Sequence, residues 1–243
     1  MDSVVLFNLM LRIKQSFYID LNLFHVNYNM HSKSIIMNNF CLEIAKKYNL
    51  KIFTRNLDSK LFNNTNIESK GREYRYKELK NICLEHNINY ALTAHHQDDQ
   101  IETVYMATQN NSSWVSKIGI RSRRNIFERD NIGIDLLRPM IDISKEKIVN
   151  YAKENQLKFY NDPTNKDQRF LRNKIRSNIK SNINNLKFRQ TYLNISNKNK
   201  LKLNKISSEI DKNFFNLIFF LKSNDVCILN RNLLIDKSFD FIF

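Results

Sequence analysis

The chain has 243 residues, of which 42% are hydrophobic and 12% aromatic, enough for one large domain with a small appendage. Lysine and arginine number 39 against 24 aspartates and glutamates, and this formal charge of +15 favours a polyanionic partner such as RNA or DNA. The sequence argues against a membrane-spanning protein, because no apolar run is long enough, and it shows no secretory signal. It also argues against a disulfide framework, because the three cysteines are widely separated (Cys41, Cys83 and Cys227). Both observations fit a reduced cytoplasmic setting.

Strands alternate with helices through the first half of the chain. The predicted elements are a helix behind a capping pair at Asp2 and Ser3, a strand over 21–26, a helix over 34–48, a strand over 51–57, a polar loop over 63–66, a helix over 67–86, a strand over 88–92 and a helix that begins near Asp98. In the helix over 34–48, the apolar spacing predicts five inward residues, Ile35, Ile36, Phe40, Ile44 and Ala45.

The second half continues the pattern and then changes character. One or two short strands are predicted within 125–141, then a helix over 144–155, an extended piece over 157–160, a turn over 162–165 and a basic helix. Beyond 184 the chain becomes rich in Asn and Lys, with an apolar stretch over 214–221 and a short strand over 226–229. We therefore predict an α/β fold, a parallel sheet with helices on both faces, over 1–184, and a small, mainly helical accessory segment over 185–243.

The junction after the strand over 88–92 concentrates polar side chains. His95 and His96 are followed by Asp98 and Asp99, and Glu102 comes three and four residues after these aspartates, on the same helical face. Ligands of open α/β sheets bind at the carboxyl ends of the strands. Because like charges so placed repel, the cluster favours a site that receives a cation, either a hard metal ion or a substrate ammonium, over a simple helix cap with solvated acids.

This junction resembles a motif of the tRNA(Ile)-lysidine synthases, a family of PP-loop ATP pyrophosphatases. The segment T-A-H-H-Q-D-D-Q-I-E-T over 93–103 is similar to the family's T-A-H-H-x-D-D-Q-x-E-T. Four further segments follow in the family's order: H-V-N-Y over 25–28, with Tyr28 in place of the usual histidine, E-S-K-G-R-E-Y-R-Y over 68–76, Arg138-Pro139, and D-P-T-N over 162–165 leading to R-N-K-I-R over 172–176. The resemblance covers roughly residues 1–179.

The resemblance implies a two-step ligation on a tRNA. ATP adenylates C2 of the wobble cytidine of a tRNA(Ile) with a CAU anticodon, releasing diphosphate, and the amine of free lysine then displaces AMP to give lysidine. It implies that Asp2, Asp99 and Glu102 are catalytic, that Asp99 and Glu102 form the lysine pocket, and that Asp2 binds Mg²⁺. ATP contacts are expected from Asp2, Ser3, His25 and His95, with His95 the more buried of the two adjacent histidines. Phosphate or tRNA contacts are expected from Arg72, Arg75, Arg138, Arg172 and Arg176.

The chain departs from the family at its start and in one loop. Only Met1-Asp2-Ser3 matches the end of the family's S-G-G-x-D-S phosphate loop, and the glycine-rich segment after the H-H-x-D-D helix reads N-N-S-S-W over 110–114. We expect a gap in the sheet beside the strand over 21–26, with exposed apolar surface. We also expect a chain that starts at Met1 to be poorly soluble and inactive in cleaving ATP to AMP, and a form extended upstream through a strand and Ser-Gly-Gly to be active.

Two alternatives remain open. Another PP-loop tRNA-modifying enzyme, such as a thiolation enzyme, is disfavoured because the cysteines form no pair. A degenerate RNA-binding protein without ATP chemistry is favoured by the missing glycines and disfavoured by the acids Asp98, Asp99 and Glu102, which would weaken RNA binding. An AT-rich genome would also enrich Lys and Asn, which weakens the inference from charge to RNA.

Overall fold

The computed structural model describes residues 1–29, 33–57, 67–129, 132–161, 171–179, 182–183, 185–221 and 226–229. The predicted loop over 63–66 and turn over 162–165 lie outside these residues. The chain divides into two compact units, one formed by Met1–Glu102 and Ile120–Ile183, the other by Thr103–Gly119 and Asn184–Phe243. The domain limits of 1–184 and 185–243 stay a prediction. None of the helices described is both long and apolar enough to cross a membrane.

The first unit alternates strands and helices as predicted. Its elements are α1 (Asp2–Ser16), β1 (Leu23–Asn27), α2 (Ser34–Lys47), β2 (Ile52–Asn56), α3 (Ile67–Glu85), β3 (Tyr90–Leu92), the start of α4 (Gln97–Gln109), β4 (Arg123–Arg129), β5 (Ile132–Leu137), α5 (Lys145–Glu154) and α6 (Leu171–Ile179). The extended piece over 157–160 belongs to no strand.

The strands form two separate parallel ladders. β1 pairs with β2, and β3 pairs with β5, whose other edge carries the antiparallel β4. Within the described residues β1 and β3 are not hydrogen-bonded to each other, and residues of both line one cavity. This confirms the gap predicted beside β1.

Two buried clusters hold helices to this unit. Val5 and Leu6 of α1 pack with Met140 and with Ile148 and Ala152 of α5, because the apolar stripe of α1 faces the amphipathic α5. A second cluster joins α3 to the sheet through Cys83, Ala91, Ile134 and Leu136. These contacts fix α1, α3 and α5 relative to the carboxyl end of β3.

Two local predictions are wrong. Asp2 and Ser3 do not cap α1 with their side chains; Met1 is the N-cap, and its carbonyl accepts the N–H groups of Val4 and Val5. In α2, Ala45 is buried, whereas Ile35 and Ile36 are 63% and 48% exposed. The buried residue near the start of α2 is Ser34, so the inward face lies one position earlier than the apolar pattern indicated.

The second unit consists of the rest of α4, a 3₁₀ turn at Ser116–Ile118, the helix α7 (Leu186–Leu217) and the antiparallel pair β6 (Ile218–Leu221) and β7 (Val226–Leu229). Tyr105 of α4 contacts Phe188 and Tyr192 of α7 with ring centroids 6.0 and 5.4 Å apart. The buried Ser196 hydroxyl donates to the Ile118 carbonyl over 2.8 Å.

Candidate active site

A cavity of about 1020 Å³ lies in the first unit, at the gap between β1 and β3. Nine of the eleven predicted site residues line it, namely Asp2, Ser3, His25, Arg72, Arg75, His95, Asp99, Arg172 and Arg176. The fold therefore brings to one cavity residues that are up to 174 positions apart in the sequence. Glu102 and Arg138 are linked to this set through Arg172, Arg176 and His95, as described below.

Asp98 and Asp99 occupy the first turn of α4, where the helix dipole favours negative charge. Asp99 Oδ2 accepts the His96 backbone N–H over 3.0 Å, which ties the carboxylate to the loop that enters the helix. Asp98 Oδ1 accepts the backbone N–H of Lys145, the first residue of α5, over 3.1 Å. The two aspartates thus have different tasks, since Asp98 joins α4 to α5 and Asp99 faces the cavity.

Asp99 and Glu102 are paired with two arginines of α6. Glu102 accepts Arg176 Nε at 2.8 Å and Arg172 Nε at 3.0 Å, one on each carboxylate oxygen. Asp99 Oδ1 accepts Nη2 of Arg176 at 2.9 Å and of Arg172 at 3.0 Å. Each guanidinium therefore bridges both acids, in a geometry that only arginine can provide.

These four residues form a charge-balanced group with buried acids and half-buried arginines, which we call the α4–α6 cluster. Asp99 is 6% exposed and Glu102 3%. Burial raises the pKa of Asp99, but His96, Arg172 and Arg176 together outweigh it and lower the pKa. Burial likewise lowers the pKa of Arg176, and the carboxylates of Glu102 and Asp99 more than reverse this. The chain's own arginines thus balance the charge of the acids, and the metal ion or substrate ammonium that the acid spacing favoured stays a prediction.

Asp2 lies at the entrance to α1 beside a residue that the sequence did not single out. Lys145 Nζ is 2.5 Å from Asp2 Oδ1, and His96 Nε2 is 3.8 Å from Asp2 Oδ2 and 3.6 Å from Asp99 Oδ2. Lys145 is placed by Ser144, whose hydroxyl accepts the Lys147 N–H and starts α5. A lysine in the first helical turn opposes the helix dipole, and this feature of the sequence could have drawn attention to Lys145.

The two adjacent histidines differ in environment. His96 is 5% exposed, whereas His95 is half-buried, so the prediction that His95 is the more buried residue is wrong. His95 Nδ1 lies 2.9 Å from the Thr93 hydroxyl. Burial lowers the pKa of His95 to about 4, with further lowering from Arg138, Arg172 and Arg72, against the opposite effect of Asp99. His95 is therefore neutral at physiological pH.

This neutral histidine predicts a pH dependence of stability. Its pKa is about 4 in the folded chain and about 6.5 when unfolded, so the unfolded state binds the extra proton first. The contribution of His95 to the free energy of unfolding is fully present above pH 6.5. As the pH falls toward 4, this contribution is lost, which lowers the free energy of unfolding by at most about 3 kcal/mol. Urea unfolding at several pH values should show that the free energy of unfolding declines less steeply with falling pH for His95→Gln than for the unchanged chain. Parallel curves over this interval would contradict the assignment.

Positive charge and buried polar atoms without a partner occur in and near the cavity. Partial burial, followed by the charges of Arg75, Arg172 and Arg138, lowers the pKa of Arg72, although the residue as a whole is exposed. Arg138 is 4% exposed; its Nη1 donates to the Arg121 carbonyl, but its buried Nε has no partner among the described residues. His25 Nε2 is also buried without a partner there, and burial lowers its pKa. Such groups are suited to an anionic, hydrogen-bonding ligand.

Arg75 and Ser3 have weaker structural support. Arg75 lines the cavity and lies over the Tyr76 ring at 5.8 Å, as Arg72 does at 5.0 Å. Ser3 lines the cavity and is exposed. No group of three or more His, Cys, Asp or Glu side chains is arranged as a metal site in the part of the chain that is described. Asp2 therefore fits a metal only where substrate phosphates supply the other ligands, as Mg²⁺ commonly requires.

Comparisons with known proteins agree with this architecture. The family described as the PP-loop domain matches residues 1–183. The chain is 36% identical to a tRNA(Ile)-lysidine synthase of Persephonella marina over 183 residues and 32% identical to that of Campylobacter jejuni over 178 residues, each alignment covering 73% of this chain. These alignments cover 38% and 52% of the two relatives, so the chain spans about half of their length or less.

A solved structure is also similar in fold. The U34-tRNA thiolase NcsA of Methanococcus maripaludis, with its [4Fe-4S] cluster, aligns with a TM-score of 0.62, covering 84% of this chain and 68% of the thiolase. The two sequences are 16% identical. At that identity the likeness establishes the shared fold.

Proposed function

Because the chain belongs to the PP-loop domain family, we propose that it ligates lysine onto C2 of the wobble cytidine of a tRNA(Ile) with a CAU anticodon. ATP activates the cytidine as an adenylate, and lysine displaces AMP to give lysidine. The observation that carries this proposal is one cavity lined by the buried Asp99, by four arginines, and by His25, whose buried Nε2 has no partner among the described residues. Such a cavity suits an ammonium substrate together with a phosphate substrate. We propose the cytoplasm as the cellular location of the protein.

Activation of the cytidine requires groups that bind the triphosphate. The guanidinium groups of Arg72 and Arg138 and the imidazole of His25 offer donors, and the neutral His95 adds a hydrogen-bonding group without repelling either arginine. Preorganised donors stabilise charge that develops in a transition state more effectively than water does. Mg²⁺ bound by Asp2 and the phosphates would neutralise that charge. The cytidine O2 attacks the α-phosphorus, and diphosphate leaves.

Lysine transfer involves the α4–α6 cluster. The ε-amine attacks C2, the C2–O bond breaks, AMP leaves with that oxygen, and the amine loses a proton. To hold the lysine, Asp99 and Glu102 have to exchange a guanidinium for the substrate cation, because all four cluster residues already pair with one another. We therefore propose that lysine binds where Arg172 or Arg176 now contacts Asp99.

The experiment is lysidine formation on a tRNA(Ile) transcript with radiolabelled lysine and ATP. The control transcript carries U in place of C at the wobble position and should accept no lysine. Labelled product with the C transcript and diphosphate release in equal amounts would support the proposal. Transcript binding without diphosphate release would instead support a degenerate RNA-binding protein, and diphosphate release without lysine incorporation would support another PP-loop modification.

Binding of the transcript should depend strongly on salt. Each phosphate that the protein neutralises releases counterions, and contacts with six or more phosphates lower affinity by about 10³-fold or more between 50 and 200 mM salt. The excess of basic residues over 169–205 motivates this expectation. Filter binding across a salt series measures it. A flat response, or equal affinity for an unrelated acidic polymer at physiological salt, would show that the charge reflects composition only.

A further inference from the structure

One side of α7 is packed within the second unit. Phe188 and Tyr192 contact Tyr105, and Ser196, four residues further on, donates its buried hydroxyl to the Ile118 carbonyl. The spacing of four residues places all three on neighbouring turns of one helix face. This face therefore fixes which way the remaining side chains of α7 point.

The opposite side carries a line of lysines, Lys187, Lys198, Lys205 and Lys212, all of them exposed. The separations are eleven, seven and seven residues, or about three, two and two helical turns, so the four Cα atoms lie nearly above one another. We call the first three of these residues the lysine stripe; at 1.5 Å per residue it is about 27 Å long. Lys202, beside the stripe, lies over the Trp114 ring at 4.5 Å.

Within α7 the stripe has one acidic neighbour, Glu209, which lies four residues after Lys205 at the end of the stripe. The helix contains no Asp or Glu from Leu186 to Ser208, and Glu209 is the first acid. The first turn of α7 has no acidic residue, and Lys187 lies there, where the helix dipole is already positive. The whole chain has 24 acidic residues, and none of them falls within 186–208. A polyanion would relieve this concentration of positive charge.

We propose that the lysine stripe is a binding surface for the phosphate backbone of RNA. A row of lysine ammonium groups on a straight helix suits an extended strand of phosphates. Such binding does not require the bidentate hydrogen bonds that arginine forms. The RNA that binds to this surface is the tRNA of the proposed function. The inference rests on the proposed function only for the identity of that RNA. The stripe supplies affinity without reading bases.

The test compares two triple variants with the unchanged chain. In the first, Lys187, Lys198 and Lys205 become glutamine; in the second, Lys46, Lys77 and Lys153 become glutamine, three exposed lysines on α2, α3 and α5. Both lose the same net charge. Filter binding should show Kd for the tRNA raised about 10- to 100-fold, and the slope of log K against log salt reduced by about 2, in the stripe variant alone. Circular dichroism should show equal helix content in all three proteins.

Three results would overturn the inference. The first is unchanged tRNA binding by the stripe variant, and the second is an equal weakening of tRNA binding in both variants. The third is a stripe variant that loses binding to vesicles of anionic lipid but keeps its binding to tRNA. Steady-state kinetics separates this outcome from the proposed function, because the stripe variant should raise KM for tRNA and leave KM for lysine and ATP unchanged. A chain that makes no lysidine but shows the stripe-specific loss of RNA binding would refute the function and retain the surface.

Discussion

Glu102→Gln is expected to reduce lysine transfer by about 30-fold to several thousand-fold, which corresponds to roughly 2–5 kcal/mol for removing one member of a desolvated charged pair. Glu102 receives two Arg Nε–H donors, one on each oxygen. An amide can accept only one of them, and its own N–H group would face the second. Asp99→Asn should act in the same direction, because its Oδ1 accepts two guanidinium groups. Lysidine formation at saturating lysine, with circular dichroism as the check on folding, measures both.

The matched variant is Arg176→Gln, which removes the cation and leaves the acids. If Asp99 and Glu102 form the lysine pocket, Glu102→Gln should raise KM for lysine, while Arg176→Gln should leave it equal or lower it, since a competitor is gone. If the acids only anchor α6, Glu102→Gln, Arg176→Gln and the variant that combines the two should lose activity equally, without a selective change in KM for lysine. That result, or near-normal turnover of Glu102→Gln, would refute the lysine pocket.

The sequence predicted this unit well where a local pattern determines structure. The change from an apolar run to His95, His96, Asp98 and Asp99 placed the end of β3 and the start of α4 correctly to within about two residues. Parallel pairing of β1 with β2, and of β3 with β5, follows from the helices that connect strands.

The partners of the charged residues were not predictable. Spacing showed that Asp99 and Glu102 share a helix face, but their partners Arg172 and Arg176 are about seventy residues away, and only the fold brings them together. The same holds for Asp2 and Lys145, which are separated by 143 positions. Burial was also misjudged: His96, not His95, is enclosed, because it lies between Asp2 and Asp99 at the helix entrance.

The pair of Asp2 and Lys145 leads to an expected result that separates metal binding from ion pairing. Lys145 Nζ contacts the carboxylate that we assign to Mg²⁺, at 2.5 Å. The two cations therefore compete for one group. Lys145→Met should lower the Mg²⁺ concentration that gives half-maximal diphosphate release, because Asp2 is freed, whatever its effect on the maximum rate.

Asp2→Asn should have the opposite effect on the same measurement. It should raise the half-maximal Mg²⁺ concentration and reduce diphosphate release by on the order of 100-fold, as expected when stabilisation of developing charge is removed. In the double variant the Mg²⁺ requirement should resemble that of Asp2→Asn alone, since Lys145 then has no carboxylate to compete for. If Lys145→Met and Asp2→Asn instead raise the Mg²⁺ requirement equally, their contact is structural. Asp2 would then hold the start of α1 against α5, and the metal would depend on other groups.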